Sequence, residues 1–595
     1  MQMEVTSFSR KPETAFAVPA SIHVITSEDI RRSGVTSLPQ ALRLAPNLSV
    51  AQVDSRQWAI SARGFNGTVA NKLLVLIDGR SVYTPLYSGV FWDVQNADLG
   101  DIDRIEVTSG PGATLWGTNA VNGVINIITK DSKDPASKGL HLSGTTGTRD
   151  RLTGIRYGGS SDDNTSYRVY LMDFYRGAAQ LSTGVEAGDA WRMTQGGFKV
   201  DWDADEATRL TIQGDAYGGS IHQRVGADVD VSGGNLVERW SHTLDNGTDY
   251  SIQAYYDLTH RTIPNMFGED LETMNIDAQY RFPIGEQNDV VVGGGFRHMN
   301  DRITNSASLA FLPDYLLMRI YSGFIQDEIS LFQDRAKVTL GSKFEHNDFS
   351  GFEYQPSVKL AWLFDPTKTA WAAFTRAVRT PSRIDRDFYV PAAPPFLLAG
   401  GVNFNSEKVY AYEVGYRHQL SSALTVEAAA FYNFYDDLRS VEPGPPYTLQ
   451  NGLEGTTYGA EAAIHFQTMD WWQWKAAYCY FQKEIRVKPW SRDLNGGLGE
   501  GDDPRHRFSV LSYVDLPGGI EFDTWLRVTD ELPRISAQVP GYAELDLRLG
   551  WKTIDNLTLS IVGQNLLHDR HPEMGAPANR REIPRNVYGS VRLDL

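Results

Sequence analysis

From about residue 140 to its end the chain alternates, and that alternation limits what it can fold into more than any other feature. In segment 250–258 the apolar side chains stand at 250, 252, 254, 256 and 258, with Ser251, Gln253 and Asp257 between them. In segment 274–282, Asn275, Asp277, Gln279 and Arg281 share the polar face. The same period of two returns at 358–364, 412–416, 424–434, 458–466, 543–551, 557–561 and 587–595, and no helical period of similar length competes with it. Many strands with one polar and one apolar face build either a soluble β architecture or a membrane barrel. A propeller would repeat every 40–50 residues or so, and no such repeat is present. Short turns such as 364–368 alternate with long Gly/Pro/Asn-rich segments (384–405, 436–455, 486–504). Trp371, Trp471, Trp472, Trp551 and Tyr588 fall near strand ends, where interfacial girdles of a barrel would stand. Mean hydropathy is −0.34. With no long apolar run, helical membrane spans are excluded, whereas barrel strands average to a polar hydropathy.

Residues 136–595 offer roughly 21 residues per strand and loop for 22 strands, and about 10 residues cross a bilayer. The expected fold is therefore mainly β, a 22-stranded antiparallel transmembrane β-barrel. A lumen that wide needs filling. Residues 21–135 read as a small α+β plug, preceded by a flexible arm at 1–20. SIHVIT (21–26) is strand-like, Ser27 offers a helix cap with Glu28 and Asp29 behind it, and the helix should stop at Gly34. Ser37 caps a second helix with Pro39 in its first turn. Asp78-Gly79 between LLVLI and RSVYT signals a hairpin. Residues 107–129 carry no charge but are rich in Gly, Asn and Thr, which suits a stretch packed inside something rather than a lipid-facing helix.

Composition removes several function classes. The 56 Lys and Arg against 73 Asp and Glu give −17, unsuited to binding nucleic acid. The single cysteine, Cys479, forms no intramolecular disulfide and no Cys-rich metal site. GATLWGTN (112–119) has phosphate-loop spacing, but Thr118 stands where lysine is required. The histidines show no HExxH or HxxxH spacing. No nucleophile–base pair or cofactor loop is present, so neither enzyme nor cofactor is expected.

The plug region reads VPASIHVITSEDIRRSGVTSLPQALRLAPNLSV, AISARGFNG, LLVLIDGRSVY and DIDRIEVTSGPGATLWGTNAVNGVINIITK in order, and the remainder carries RAVRTPS (376–382), YEVGYR (412–417), YGAE (458–461) and GQNLLHDRHPE…IPRNVYGSVRL. Over essentially its whole length the chain resembles the TonB-dependent outer-membrane transporters. The resemblance implies a Gram-negative outer-membrane location, a leader removed before this numbering, and import of a scarce metal chelate driven by the proton-motive force. A ferric siderophore is the first expectation for the cargo and a cobalamin-like corrinoid the second. A passive gated porin and a surface β-type binding protein are the rivals from other classes. It also implies TonB, with ExbB and ExbD, as periplasmic partners of a lipid-embedded monomer. The TonB box would be Glu4-Val5-Thr6-Ser7-Phe8-Ser9, unless that stretch is an ordinary polar terminus.

Two expectations concern individual side chains. Glu413 and Glu461 are polar positions in otherwise apolar-faced strands, so both carboxylates should face the lumen. The resemblance pairs such glutamates with plug arginines, here Arg63, and its second arginine position holds Ser109. The expected latch is therefore incomplete, with Arg63 shared by Glu413 and Glu461, unless both are simply solvated. For ligand contact, the plug apices should present Arg56, Gln57, Asn66, Tyr87, Phe91 and Trp92. The rings there suit either a flat organic chelate or packing on the barrel wall.

Overall fold

A computed structural model describes residues 4–8, 10–244, 246–533, 538–578 and 580–595. Twenty-two antiparallel strands close into a barrel, the first (Gly139–Gly147) pairing with the last (Asn586–Asp594). Side chains alternate as the sequence does. In the strand Glu407–Gln419, Tyr412 and Val414 are 53% and 56% exposed while Glu413 is 6% exposed. An apolar outer face over a polar inner one belongs in lipid.

One rim carries short turns and the other carries longer loops. Segment 436–455, read from sequence as a loop, is instead the tip of an extended hairpin. Strands Leu424–Glu442 and Tyr447–Met469 run through it and leave only 443–446 as a turn. Its three prolines and Gly444 stand at that turn, while Gly452 and Gly455 lie within the second strand, whose pairing shifts register between Tyr435 and Ser440. The girdle also needs correction. Trp471 and Trp551 lie outside, but Trp371 and Tyr588, each 4% exposed, turn into the lumen. Glycines make room for both: a Cβ at Gly415 would overlap the Trp371 indole, and Gly34, at φ +69°, sits beneath Tyr588.

The lumen is filled by a five-stranded sheet in the order Ser21–Thr26, Ile102–Ser109, Gly123–Thr129, Leu73–Ile77, Arg80–Ser81. Its apolar face joins two helices, Ser27–Ser33 and Leu38–Leu42, in one core with Ile25, Leu42, Ile105, Val107 and Ile125. The first helix is capped by Thr26, one residue before the expected Ser27: the Thr26 hydroxyl accepts from Asp29 N–H at 3.0 Å, and Gly34 ends the helix in the left-handed region. The uncharged stretch 107–129 supplies the strand Gly123–Thr129 and the end of its neighbour Ile102–Ser109, enclosed by the barrel.

Candidate functional site

Arg63 closes the strand Trp58–Ala62 in a left-handed conformation, φ 51°, which turns its side chain out of the plug toward the wall. Its Nη1 donates to Glu413 Oε1 at 2.5 Å, its Nε lies 3.6 Å from Glu461 Oε1, and its guanidinium covers the Phe431 ring at 4.3 Å. Glu461 also accepts from the Ser21 hydroxyl at 2.7 Å. Ser109 brings no cation; its hydroxyl accepts from Asn47 Nδ2 at 2.8 Å inside the plug. Next to it Gly110, at φ +87°, lets the Glu413 carboxylate press against the turn, since an added Cβ would lie 2.4 Å from Glu413 Oε2. One cation thus faces two carboxylates.

The apical residues do not form one open surface. Arg56 pairs with Asp93 at 2.8 Å, and Arg261 of the wall pairs with the same carboxylate at 2.6 Å while covering Phe91 at 4.2 Å. Burial alone would raise the Asp93 carboxyl, but Arg261 and Arg56 together hold it below its ordinary value. Tyr87 packs edge-to-face on Phe91 at 5.1 Å, within a cluster that includes Ile303, Leu309 and Phe311. Trp92 belongs to the plug core. Asn66 is buried under the loop 488–505: its N–H and that of Phe65 donate to Asp503, each at 3.1 Å. Gln57 is half-buried, its N–H held by Asp54 at 2.7 Å.

A buried charge network that sequence reading missed lies above the latch. Lys72 of the plug reaches Glu407 at 2.8 Å and Glu500 at 3.8 Å. Arg379 joins Glu407 and Asp385, each at 2.7 Å, and Arg439 lies 3.4 Å from Asp385 and 3.9 Å from Glu500. Three cations and three carboxylates therefore tie plug, wall and two outer loops together. RAVRTPS contains Arg379, so the motif was visible, but the network it joins runs from Lys72 to Glu500. On another side, two clefts separate plug from wall and share Val94, Gln95, Tyr217, Asp257 and Thr259. The ion pair Arg80–Asp257, at 2.5 Å, stands where they meet.

The arm expected to be free is folded in near the rim of short turns. Glu4–Val5 pairs antiparallel with Glu13–Thr14, Val5 and Phe8 are buried, and Lys359 lies 4.2 Å over the Phe8 ring. Thr6 and Ser7 donate their N–H groups to Glu106 at 3.0 and 2.8 Å. The buried Glu106 carboxylate compensates donors that an arm without partners would leave to water. Ser9 lies outside the described residues.

Two family models match the chain: the TonB-dependent receptor plug domain over residues 14–124 and the TonB-dependent receptor-like β-barrel over 77–566. The chain is a TonB-dependent receptor. As such it is an outer-membrane protein, of a family whose members are receptors and transporters that engage TonB and bind small chelates. An iron-regulated outer membrane virulence protein of Vibrio cholerae is 24% identical over 78% of this chain and 76% of its own. The vitamin B12 transporter BtuB of Vibrio vulnificus is 24% identical over 78% and 75%. In structure, a ferric enterobactin receptor of Pseudomonas aeruginosa superposes with a TM-score of 0.80 at 17% identity, covering 97% of this chain and 98% of its own. The siderophore receptor PirA of Acinetobacter baumannii gives 0.80 at 15% identity, with 96% and 98% covered.

Proposed function

We propose that this receptor imports a ferric siderophore, energised by the proton-motive force through TonB, ExbB and ExbD, and works as a monomer. In this reading residues 1–20 are the arm that meets TonB, 21–135 the plug and 136–595 the barrel. The observation that carries it is the way the plug is held. Buried pairs fasten it around the wall, among them Arg32–Asp523 (2.7 Å), Arg43–Glu573 (2.6 Å), Arg63–Glu413 (2.5 Å), Lys72–Glu407 (2.8 Å) and Arg80–Asp257 (2.5 Å). A cargo as large as a chelate passes only if several of these break, and breaking one buried pair costs about 3–5 kcal/mol. That is work for an energy-coupled arm rather than for a passive porin. Strand addition suits the arm, because backbone hydrogen bonds give affinity with little demand on sequence. Glu4–Val5 must first leave Glu13–Thr14, so box and partner strand exchange.

Arg63, Glu413 and Glu461 act as the latch between plug and wall, and Arg56, Gln57, Asn66, Tyr87, Phe91 and Trp92 meet cargo once the outer loops lift. The likeness to a vitamin B12 transporter supports a corrinoid as the second reading. Growth and uptake of a deletion strain on a panel of ferric siderophores and corrinoids decides between them. Iron-dependent loss of growth on one siderophore is expected. Uptake that survives collapse of the proton-motive force would return the chain to the porins.

A further inference from the structure

Opposite the Arg80 clefts, a small pocket opens between the plug and the wall strands His506–Leu516, Ile520–Thr529 and Tyr542–Ile554. Register fixes its lining. Arg507 stands across from Thr529, and Thr529 across from Tyr542, while Ser509 faces Arg527 on the next inward row. Arg43 enters from the plug side. Three guanidiniums therefore line one cavity in a chain of net charge −17.

The nearby carboxylates are already engaged. Glu573 takes Arg43 at 2.6 Å, Asp546 takes Arg527 at 3.0 Å, and Glu544 takes His568 at 2.7 Å and His571 at 3.1 Å. Among the described residues no carboxylate lies within ion-pair reach of Arg507, which donates only to the Leu48 carbonyl and, at 3.3 Å, to Cys479 Sγ. Arg43 and Arg527 each leave a buried Nε with no acceptor. A cation without a counter-charge beside two unfilled N–H donors is an incomplete arrangement, because buried donors and charges are normally compensated. Guanidiniums complete it best with planar or multidentate anionic oxygens.

We propose that this pocket is a lumenal subsite for the anionic oxygen group, a carboxylate or catecholate, of the imported chelate, with Arg507 as its principal cation. All three strands enter or leave it at the rim of longer loops, so the subsite lies on the outer half of the lumen. It deepens the import reading and rests on it for the source of the anion. It also explains how an acidic barrel accepts an anionic cargo, since the local field of three guanidiniums outweighs distant, screened carboxylates.

The test uses the purified full chain in detergent micelles and needs no energised membrane, so its failure is separable from failure of the uptake experiment. Citrate, ferric citrate and inorganic phosphate are titrated calorimetrically at ionic strength fixed with chloride. Citrate or ferric citrate should bind saturably, Arg507→Gln should weaken that binding at least tenfold, and Arg507→Lys should recover most of it. Arg319→Gln, which removes an exposed cation of another strand, should leave the affinity unchanged. Heat-modifiable mobility on gels confirms that each variant keeps its barrel. Absence of saturable binding in the wild type, or equal affinity in Arg507→Gln, overturns the subsite. Binding of phosphate without either citrate form overturns its assignment to cargo.

Discussion

Replacing Arg63 by alanine removes the one cation that Glu413 and Glu461 share. Glu413 is 6% exposed and has its short contact with that guanidinium, whereas Glu461 lies 3.6 Å away and keeps the Ser21 hydroxyl. The cost is therefore mainly a stranded Glu413, about 3–5 kcal/mol, with about 1–2 more from the lost cover over Phe431. At 1.4 kcal/mol per decade, the population of receptors with the plug displaced on this side should rise at least a hundredfold. Glu461→Gln should cost far less than Glu413→Gln. Gly110→Ala should act in the same direction as Arg63→Ala, because the new methyl would intrude on the Glu413 carboxylate at a backbone φ of +87°. Two assays read the effect: ion conductance of the receptor in planar bilayers, and amide exchange of the plug strands Ile102–Ser109 and Gly123–Thr129. Arg63→Met with Glu413→Leu should restore most of the protection, since an apolar pair in place of a buried ionic one is often neutral. Wild-type conductance and exchange in Arg63→Ala would refute the latch. A double variant as leaky as the sum of the singles would refute the charge-stranding explanation of it.

Among the described residues, Lys72→Met leaves Glu500 with the distant Arg439 at 3.9 Å as its ion-pair partner, so the loop 488–505 should become protease-sensitive from outside while the barrel keeps its heat-modifiable mobility. Glu106→Gln removes the charge that holds the N–H groups of Thr6 and Ser7; at about 1–3 kcal/mol, a spin label at residue 5 should become mobile and TonB affinity without cargo should rise about tenfold or more. An unchanged spectrum would count against that contact as the restraint. His571 lies in the loop 565–585 between Glu544 and Glu573, its ring 4.6 Å from Tyr542. Burial pulls its pKa down, but hydrogen bonds and charge from the two glutamates outweigh burial and raise it above 6.5. A raised folded value means the stabilisation is complete below about pH 6.5 and is lost as pH rises through the higher value. Amide exchange at residues 569–573, divided by its intrinsic base-catalysed rate, should accordingly quicken as pH rises above about 6.5, and His571→Gln should abolish that excess.

Local rules carried most of the fold. Period two is imposed by lipid on one side and a polar lumen on the other, so each strand announces itself without knowledge of its partners. The hairpin at Asp78-Gly79 and the stop at Gly34 need left-handed backbone, φ 47° and 81° at the turn and 69° at the stop, and their residue types declare it. Apart from the pairing of Arg63 with Glu413 and Glu461, which the family resemblance implied, features set by distant partners were not legible. Trp371 and Tyr588 sit at strand ends that would suit a girdle, and only Gly415 and Gly34, from other segments, let them point inward. Nothing local to Lys72 reveals Glu407 or Glu500, and nothing local to Arg507 reveals that Glu573, Asp546 and Glu544 are committed elsewhere.

Ser109 shows how far a single position can carry. Two acids facing two arginines would be neutral; here, among the described residues, Arg63 is the one cation within ion-pair distance of both, so the pair is left short of positive charge, moderated by the Ser21 hydroxyl. A plug held by one shared cation is held less firmly on this side than one held by two, because the second carboxylate repels the first while adding little attraction at 3.6 Å. The firmer restraint lies higher, in the network of Lys72, Arg379 and Arg439, which joins the plug to the outer loops as well as to the wall. On the proposed import reading, loop movement on cargo arrival would loosen the same network that restrains the plug, while the Arg63 pair below would hold until force is applied from the periplasmic side. That reading expects the upper network to open first and Arg63 last, because of the elements each set of ion pairs connects.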